Sequence, residues 1–274
     1  MMRIDVGNVL RQRAPRHYRY IPGWAVRWLE RIICQDRLNT LLEHNAQCEG
    51  ADFARGVIKD LSVSYSLAGN IPDGKDRRVI LVSNHPLGGL DGLVLACVAE
   101  DVYGKEADAK FVVNDLLDFV EPLRPIFLGV NKHGTQSRAS VERIDRAFDG
   151  DSPILMFPAG LVSRRRQGGV IADMPWRKMA VVKAISSHRD IIPVHFSGEN
   201  SQFFYKFAHL RSRLGLRFNI EMIRLPKEIF LSEGSHFTVT FGSPISWRSL
   251  EGGMNAELQA DRLRSIVYQL PCQK

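Results

Sequence analysis

The chain has 274 residues, of which 45% are hydrophobic and 24% are charged, a balance typical of a globular protein with a sizeable core. The four cysteines form no CxxC pair, which argues against a zinc cluster or a disulfide framework and favours a reducing compartment. The net charge of +7 favours an anionic partner, whether nucleic acid, anionic lipid or an acidic carrier protein. The sequence holds no run of about 18 apolar residues, so we expect no transmembrane helix.

The first 33 residues interleave arginine with tyrosine and tryptophan. From Trp24 onwards, apolar residues recur at helical spacing, which predicts an amphipathic helix that begins after Pro22 and Gly23. Such a composition is typical of a helix that lies in a lipid interface, and the alternative is a helix docked on the protein's own core. We therefore expect an N-terminal helical membrane-interface region over residues 1–60 and an α/β domain, which carries the candidate catalytic residues, over residues 61–274.

The remainder of the chain alternates short apolar runs, which predict strands, with segments of helical periodicity. This alternation favours an α/β fold with a single domain, in which a largely parallel mixed sheet is flanked by helices and preceded by the N-terminal amphipathic helical region. The predicted strands are 62–67, 79–83, 111–113, 126–130, 154–157, 191–196 and 237–241, and the predicted helices are 93–99, 141–148, 179–185, 203–210 and 257–270.

The loop after the strand at 79–83 contains a histidine and an aspartate. Imidazole titrates near neutral pH, so His85 can remove a proton from a hydroxyl, and Asp91 on its other nitrogen would orient the ring. Gly88 and Gly89 allow the loop to fold back so that the two side chains meet. Asn84 stands beside this pair at the carboxyl end of the strand, where ligands bind in such sheets. The alternative is that Asp91 only caps the next helix and that His85 is an ordinary loop histidine.

Two other strand ends, those of the strands at 154–157 and 126–130, are followed by polar or basic residues. A Pro/Gly turn follows the strand at 154–157, and its amides can donate hydrogen bonds to an oxyanion. Three arginines follow at 164–166, where guanidinium groups can hold a carboxylate or phosphate, unless they form an ordinary solvated loop. The candidate substrate-binding residues at these two ends are Phe157, Pro158, Gly160, Arg164, Arg165, Asn131 and Lys132, and those of the histidine loop are Asn84, Gly88 and Gly89.

The segment NHPLGGLDG at 84–92 resembles the first motif of the glycerolipid acyltransferase family, of the 1-acylglycerol-3-phosphate type. FPAG at 157–160 resembles the FPEG motif of that family, the strand at 126–130 lies where its second motif is found, and IIPVHF at 191–196 resembles its fourth. The chain is most similar to a hemolysin-like branch that includes O-acyltransferases of bacterial ornithine and glycine lipids.

This resemblance implies that His85 and Asp91 are the catalytic pair, with His85 as the general base that activates a lysolipid hydroxyl for attack on an acyl thioester. The acyl donor would be acyl carrier protein or acyl-CoA, and no metal or cofactor is required. An anionic membrane surface would bind the basic protein peripherally, at the cytoplasmic face of the inner (plasma) membrane. The sequence shows no nucleic-acid-binding motif, so we expect no nucleic-acid partner.

The chain also departs from the motifs of that family. Five residues separate His85 from Asp91 where the family has four, Ala159 replaces a glutamate, and the second motif lacks its usual arginine. In phosphate-ester acyltransferases the last two positions help to hold the phosphate of the acceptor. The sequence therefore favours a lyso-amino-acid lipid, whose carboxylate would meet Lys132 or the arginines at 164–166. The alternatives are a 1-acylglycerol-3-phosphate acyltransferase of phospholipid synthesis and a nonenzymatic basic membrane-associated protein.

Overall fold

A computed structural model describes residues 3–13, 15–114, 120–130, 138–216 and 219–270. Within these residues the chain begins with helices and continues as a central sheet covered by helices on both faces. The helices are α1 Val6–Arg13, α2 Pro15–Tyr18, α3 Gly23–Ile32, α4 Gln35–His44, α5 Gly50–Asp60, α6 Leu90–Tyr103, α7 Arg138–Asp149, α8 Met179–Ser187, α9 Gln202–Arg213, α10 Leu225–Leu231 and α11 Ala256–Gln269.

The strands are β1 Ser64–Gly69, β2 Val79–Ser83, β3 Lys110–Asn114, β4 Phe127–Val130, β5 Ile154–Met156, β6 Arg164–Arg165, β7 Ile171–Ala172, β8 Asp190–Phe196 and β9 His236–Phe241. Seven of them form the main sheet in the order β1-β9-β8-β2-β5-β3-β4, and β6 and β7 form a separate antiparallel ribbon. Neighbouring strands of the main sheet are parallel except for β8 and β9. The sheet is therefore mixed and largely parallel, as predicted.

The sheet separates two hydrophobic cores. One core packs side chains of α4, α5 and α6 against one face, and the other packs α7, α8 and α11 against the opposite face. All five residues of β2 are buried, with Leu81 in the first core and Ile80 and Val82 in the second. A central strand buried on both faces requires a continuous apolar run, which is why β2 was evident in the sequence.

The twelve predicted elements in residues 61–274 are all present, with ends displaced by at most a few residues. The helix α10 and the β6–β7 ribbon were not predicted. The helix is only seven residues long and has a proline in its first turn, and each ribbon strand has two residues, so neither presents a full hydrophobic period.

The N-terminal helices differ in how they contact the rest of the protein. The helices α4 and α5 contribute Leu41 and Phe53 to the first core, whereas α3 buries no residue and leaves Trp24 and Trp28 67% and 58% exposed. Among the described residues, no helix is long and apolar enough to cross a bilayer. The assignment of residues 1–60 as a membrane-interface region stays a prediction.

Candidate active site

The histidine and aspartate of the first motif meet at the carboxyl end of β2. His85 Nδ1 lies 3.0 Å from Asp91 Oδ2, so the pair forms although five residues separate the two positions. The carboxylate of Asp91 is fully buried, and the side chain of His85 is 17% exposed. One edge of the imidazole therefore remains accessible while its partner is shielded from water.

The loop closes because its backbone amides converge on the same carboxylate. Leu87 and Gly88 donate to Asp91 Oδ2 at 2.9 and 3.2 Å, and Gly92 donates to Oδ1 at 2.9 Å. Gly88 has a φ of +79°, and a Cβ there would lie 2.3 Å from Val162 Cγ2, so only glycine fits. Asp91 thus binds both His85 and the amide of Gly92 in the first turn of α6. Gly89 rather than Asp91 is the N-cap residue of that helix, and the catalytic role of Asp91 stays a prediction.

These contacts keep the Asp91 carboxyl ionised. Burial by itself raises the pKa of the Asp91 carboxyl, but the charge of His85 and the hydrogen bonds from His85, Leu87 and Gly88 outweigh it and hold the pKa below its usual value. An ionised Asp91 accepts the proton on Nδ1 of His85. The Nε2 lone pair is then available to a hydroxyl, which is the state that a general base requires.

The segment after β5 holds His85 from two directions. The ring of Phe157 stacks on the imidazole, with centroids 4.1 Å apart and planes inclined by 27°. The backbone N–H of Ser163 donates to the carbonyl of His85 at 2.8 Å. The segment that carries FPAG therefore contacts both the ring and the main chain of His85.

A buried aspartate outside every predicted motif also holds this loop. Asp173 Oδ1 accepts the backbone N–H of His85 at 3.2 Å and the hydroxyl of Ser163 at 2.5 Å, and its Oδ2 accepts Trp176 Nε1–H at 2.9 Å. Its own N–H donates to the hydroxyl of Tyr268 at 2.8 Å. Nothing in the sequence marks Asp173, Ser163, Trp176 or Tyr268 as part of the site, because no spacing signals a contact between His85 and segments this far along the chain.

Asn84 is buried and connects two neighbouring strands. Its Nδ2 donates to the carbonyl of Phe196 at 2.9 Å, and its Oδ1 accepts the amide of Phe196 at 2.7 Å. These bonds fix the end of β2 to the end of β8. The structure thus places Asn84, a predicted substrate-binding residue, beside His85 with both polar atoms of its side chain engaged by the backbone.

The two predicted arginines have different environments. Arg164 forms a 2.8 Å ion pair with the buried Glu221, which Arg211 also approaches at 2.8 Å, and only 12% of the Arg164 side chain is exposed. Burial lowers the pKa of Arg164, and Glu221 opposes this shift. Arg165 is half-buried and donates to Gln202, while its Nε has no hydrogen-bond partner among the described residues.

The Pro/Gly turn lies next to these arginines. The N–H of Gly160 donates to the carbonyl of Phe157 at 2.8 Å, which closes the turn, and the carbonyl of Pro158 accepts the amide of Arg177 at 3.1 Å. Gly160 is therefore engaged, whereas the N–H of Leu161 takes part in no hydrogen bond within the described part of the chain. The predicted residues Asn131 and Lys132 lie outside the described residues.

His195 packs beside the site without joining it. Its ring contacts Tyr268 edge-on at a centroid distance of 6.0 Å, and the hydroxyl of Tyr268 accepts the backbone N–H of Asp173. Burial lowers the pKa of His195 to about 4, so this histidine is neutral at physiological pH.

The site geometry and the fold lead to a class of enzyme. The chain belongs to the acyltransferase family, which it matches over residues 8–272. It is 40% identical over 269 residues to the lyso-glycine lipid O-acyltransferase of Bacteroides thetaiotaomicron, covering 97% of each chain. It is 38% identical over 269 residues to the enzyme of the same name from Phocaeicola vulgatus, covering 97% of this chain and 95% of the relative.

Among solved structures, the chain is similar to the 1-acyl-sn-glycerophosphate acyltransferase of Thermotoga maritima. The TM-score is 0.47 at 15% identity, covering 81% of this chain and 83% of the other. The family match and the curated relatives establish that this protein is an acyltransferase and support lysolipid acyltransferase activity. The nonenzymatic alternative is therefore rejected.

Proposed function

We propose that this enzyme transfers a fatty acyl group from an acyl thioester to the hydroxyl of a lyso-amino-acid lipid, with a lyso-glycine lipid as the first acceptor to test. The observation that carries this proposal is the 40% identity to a lyso-glycine lipid O-acyltransferase across 97% of both chains. The buried His85–Asp91 pair supports it, because proton removal from a hydroxyl requires a base of this kind.

In the proposed mechanism, His85 Nε2 removes the proton of the acceptor hydroxyl while its oxygen attacks the thioester carbonyl. A C–O bond forms, and the carbonyl oxygen takes the negative charge of a tetrahedral intermediate. The intermediate collapses, the C–S bond breaks, and the departing thiolate takes the proton from His85. Asp91 holds the ring in one tautomer and stabilises the imidazolium between the two proton transfers.

The oxyanion needs a hydrogen-bond donor close to the imidazole. The amide of Gly160 already closes its turn, so we assign this role to the next amide, that of Leu161, which has no partner within the described part of the chain. It lies between Phe157, whose ring stacks on His85, and Ser163, whose N–H donates to the carbonyl of His85. An amide held between two such contacts is preorganised for a developing charge.

The headgroup carboxylate of the acceptor needs a cation, and the two arginines are unequal candidates. Arg164 already neutralises the buried Glu221. The next residue, Arg165, has a guanidinium nitrogen, Nε, without a hydrogen-bond partner among the described residues. We therefore assign the carboxylate to Arg165, with Lys132 as a second candidate, and treat Arg164 as a residue that holds the β6 segment in place. Ala159, where the family has a glutamate, fits an acceptor without a phosphate.

The N-terminal helices suit attachment to a bilayer. Trp24 and Trp28 project from α3 beside the exposed Arg27 and Arg31, and tryptophan with arginine is typical of a helix at the level of the lipid headgroups. We propose that residues 1–60 provide this contact and that the enzyme is peripheral, at the cytoplasmic face of the inner membrane. There it would meet acyl carrier protein or acyl-CoA, and the acidity of the carrier protein matches the +7 charge of the chain.

The test is transfer of labelled acyl chains from acyl carrier protein, and in parallel from CoA, to lyso-glycine lipid and to lysophosphatidic acid. We expect the wild type to acylate lyso-glycine lipid, His85→Ala to lose this activity, and His44→Ala, at an exposed surface histidine, to retain it. A preference for lysophosphatidic acid would contradict the acceptor and keep the mechanism. Full activity of a folded His85→Ala variant would contradict the mechanism.

A further inference from the structure

The helix α9 is apolar on both sides. Its inner face buries Phe204, Tyr205 and Ala208. Its outer face carries Phe203 and Leu210, which are 55% and 54% exposed, and continues to the C-cap residue Leu214, which is 66% exposed. The ring of Phe207 lies 6.1 Å from that of Phe203. Positions 203, 207, 210 and 214 follow the spacing of a single helical stripe, and such a stripe exposed to water requires a partner. We call these four residues the α9 stripe.

The segment that follows α9 extends this apolar surface. Ile220 and Ile223 are each 41% exposed and Leu216 is 46% exposed. The guanidinium carbon of Arg224 lies 4.1 Å from the centre of the Phe203 ring, so this segment returns to the outer side of α9. The exposed apolar side chains of the two segments therefore adjoin.

The charges on this surface are of one sign. Residues 202–231 include six basic residues and two acidic ones. Both acids are buried, since Glu221 pairs with Arg164 and Glu228 accepts the N–H and hydroxyl of Ser201. Lys206 and Arg213 are exposed and flank the α9 stripe. What this part of the chain presents outward is thus apolar and positive.

This surface adjoins the catalytic loop. Gln202, at the start of α9, accepts a hydrogen bond from Arg165. Leu225, which follows the exposed isoleucines, packs against Gly88, where an added Cβ would lie 2.9 Å from its Cδ1. A ligand on the α9 stripe would therefore lie beside the loop that carries His85.

We propose that the α9 stripe, with Lys206, Arg213 and the exposed isoleucines, is a second contact with an anionic bilayer, from which the acceptor lipid enters the site. This inference rests on the proposed function, because it assumes that the acceptor is a lipid embedded in a membrane. Basic residues alone would suit an acidic carrier protein equally well, but four apolar side chains at helical spacing match hydrocarbon beneath the lipid headgroups.

Side-chain contacts link the N-terminal helices to the segment that follows the exposed isoleucines. Arg37 of α4 pairs with Glu233 at 2.7 Å and lies 4.1 Å from the centre of the Phe230 ring, which joins α4 to α10. The helix α3, which carries the exposed tryptophans, precedes α4 and contacts it. The contacts therefore run from α3 through α4 to α10, which directly follows the exposed isoleucines.

The experiment is sedimentation of the full chain with phosphatidylglycerol vesicles and with phosphatidylcholine vesicles. We expect the double variant Leu210→Asp and Leu214→Asp to bind phosphatidylglycerol at least about tenfold more weakly than the wild type. The control is Leu258→Asp, at a leucine 65% exposed on α11, which should bind like the wild type. Unchanged melting temperatures would show that all variants are folded, and wild-type binding by the double variant would overturn the proposal.

Two further measurements separate the outcomes. If the double variant keeps its vesicle binding and loses cross-linking to acyl carrier protein, the surface is a protein-docking site and the lipid proposal is wrong. If the proposal is correct, the double variant should lose more of the wild-type activity on a vesicle-embedded acceptor than on a short-chain acceptor dispersed in water. If the wild type acylates no lysolipid but the double variant still loses vesicle binding, the proposed function falls and this surface stands.

Discussion

The backbone N–H of His85 donates to Oδ1 of Asp173 at 3.2 Å, although the two residues are 88 positions apart. Two buried carboxylates therefore hold one histidine, since Asp91 binds its ring and Asp173 binds its main chain. The ring contact fixes the tautomer, and the main-chain contact fixes where the ring stands above the end of β2. In its proposed role as general base His85 needs both contacts, because a displacement of about 1 Å can lower the rate by about 10².

Asp173→Asn should lower kcat by about tenfold or more and leave KM for the acceptor nearly unchanged. The amide that replaces the carboxylate places an N–H where Ser163, Trp176 or His85 already donates. The fluorescence of Trp176 should change as its hydrogen bond is lost, which reports the local rearrangement separately from activity. Loss of activity with unchanged fluorescence and unchanged stability would contradict the positioning role.

Asp91→Asn should lower kcat by about 10² to 10⁴ through loss of the correct His85 tautomer. Because the folded-state pKa of Asp91 lies below its unfolded value, the carboxylate stabilises the fold above about pH 4, and this stabilisation is lost as the pH falls through the folded-state pKa. Urea unfolding of the wild type and of Asp91→Asn from pH 7 to pH 3 measures the difference in their free energies of unfolding. A difference in stability that stays constant down to pH 3 would contradict this assignment, and Asp151→Asn, at an exposed carboxylate, is the control.

His195 should make the fold less stable in mild acid. Its pKa falls from 6.5 to about 4 on folding because the ring is buried, so the unfolded chain binds a proton that the folded chain excludes between these values. Stability should therefore be full above about pH 6.5 and decline towards pH 4, by at most about 3 kcal/mol. Replacing His195 with Gln should flatten the pH dependence of the unfolding free energy over this interval, and an unchanged slope would contradict the prediction.

Asn84→Ala should destabilise the fold by about 2 to 4 kcal/mol, because both backbone groups of the buried Phe196 lose their partner. The catalytic loop then loses its tie to β8, and kcat should fall together with stability. Chemical denaturation measures the first effect and steady-state kinetics at low temperature, where the variant is folded, measures the second. A loss below about 0.5 kcal/mol would show that water replaces both bonds.

The two neighbouring arginines should respond differently to substitution. Arg165→Ala should raise KM for the lyso-amino-acid lipid, with little change in melting temperature, because Arg165 forms no ion pair with any described residue. Arg164→Ala should cost about 3 to 5 kcal/mol of stability, because it leaves the fully buried Glu221 with only Arg211. An unchanged KM in Arg165→Ala would direct attention to Lys132 as the headgroup ligand.

Local patterns in the sequence were sufficient for most of the elements. The run at β2 is apolar throughout because both faces of a central parallel strand are buried, and the helices show one apolar side because one side is buried. The antiparallel pairing of β8 with β9 in an otherwise parallel sheet was not predictable. Both strands show the same apolar pattern in either direction, so the path of the connecting chain decides their orientation.

The candidate site likewise has contacts that were predictable from the sequence and contacts that were not. His85 and Asp91 stand six positions apart in one loop, and their residue types and glycines were enough to predict that they meet. Arg164 and Arg165 look alike in the sequence, and only the packing of Glu221 beneath one of them distinguishes an ion-paired arginine from one with an unused donor.

The sequence by itself determined the class of fold and the meeting of His85 with Asp91, because these depend on short-range periodicity and on one compact motif. The tertiary structure decided what holds His85, through Asp173 and Phe157, and which apolar side chains face outward on α9. The physical reason is that burial and long-range hydrogen bonds arise when distant segments pack together, and residue types along the chain carry no record of those distances.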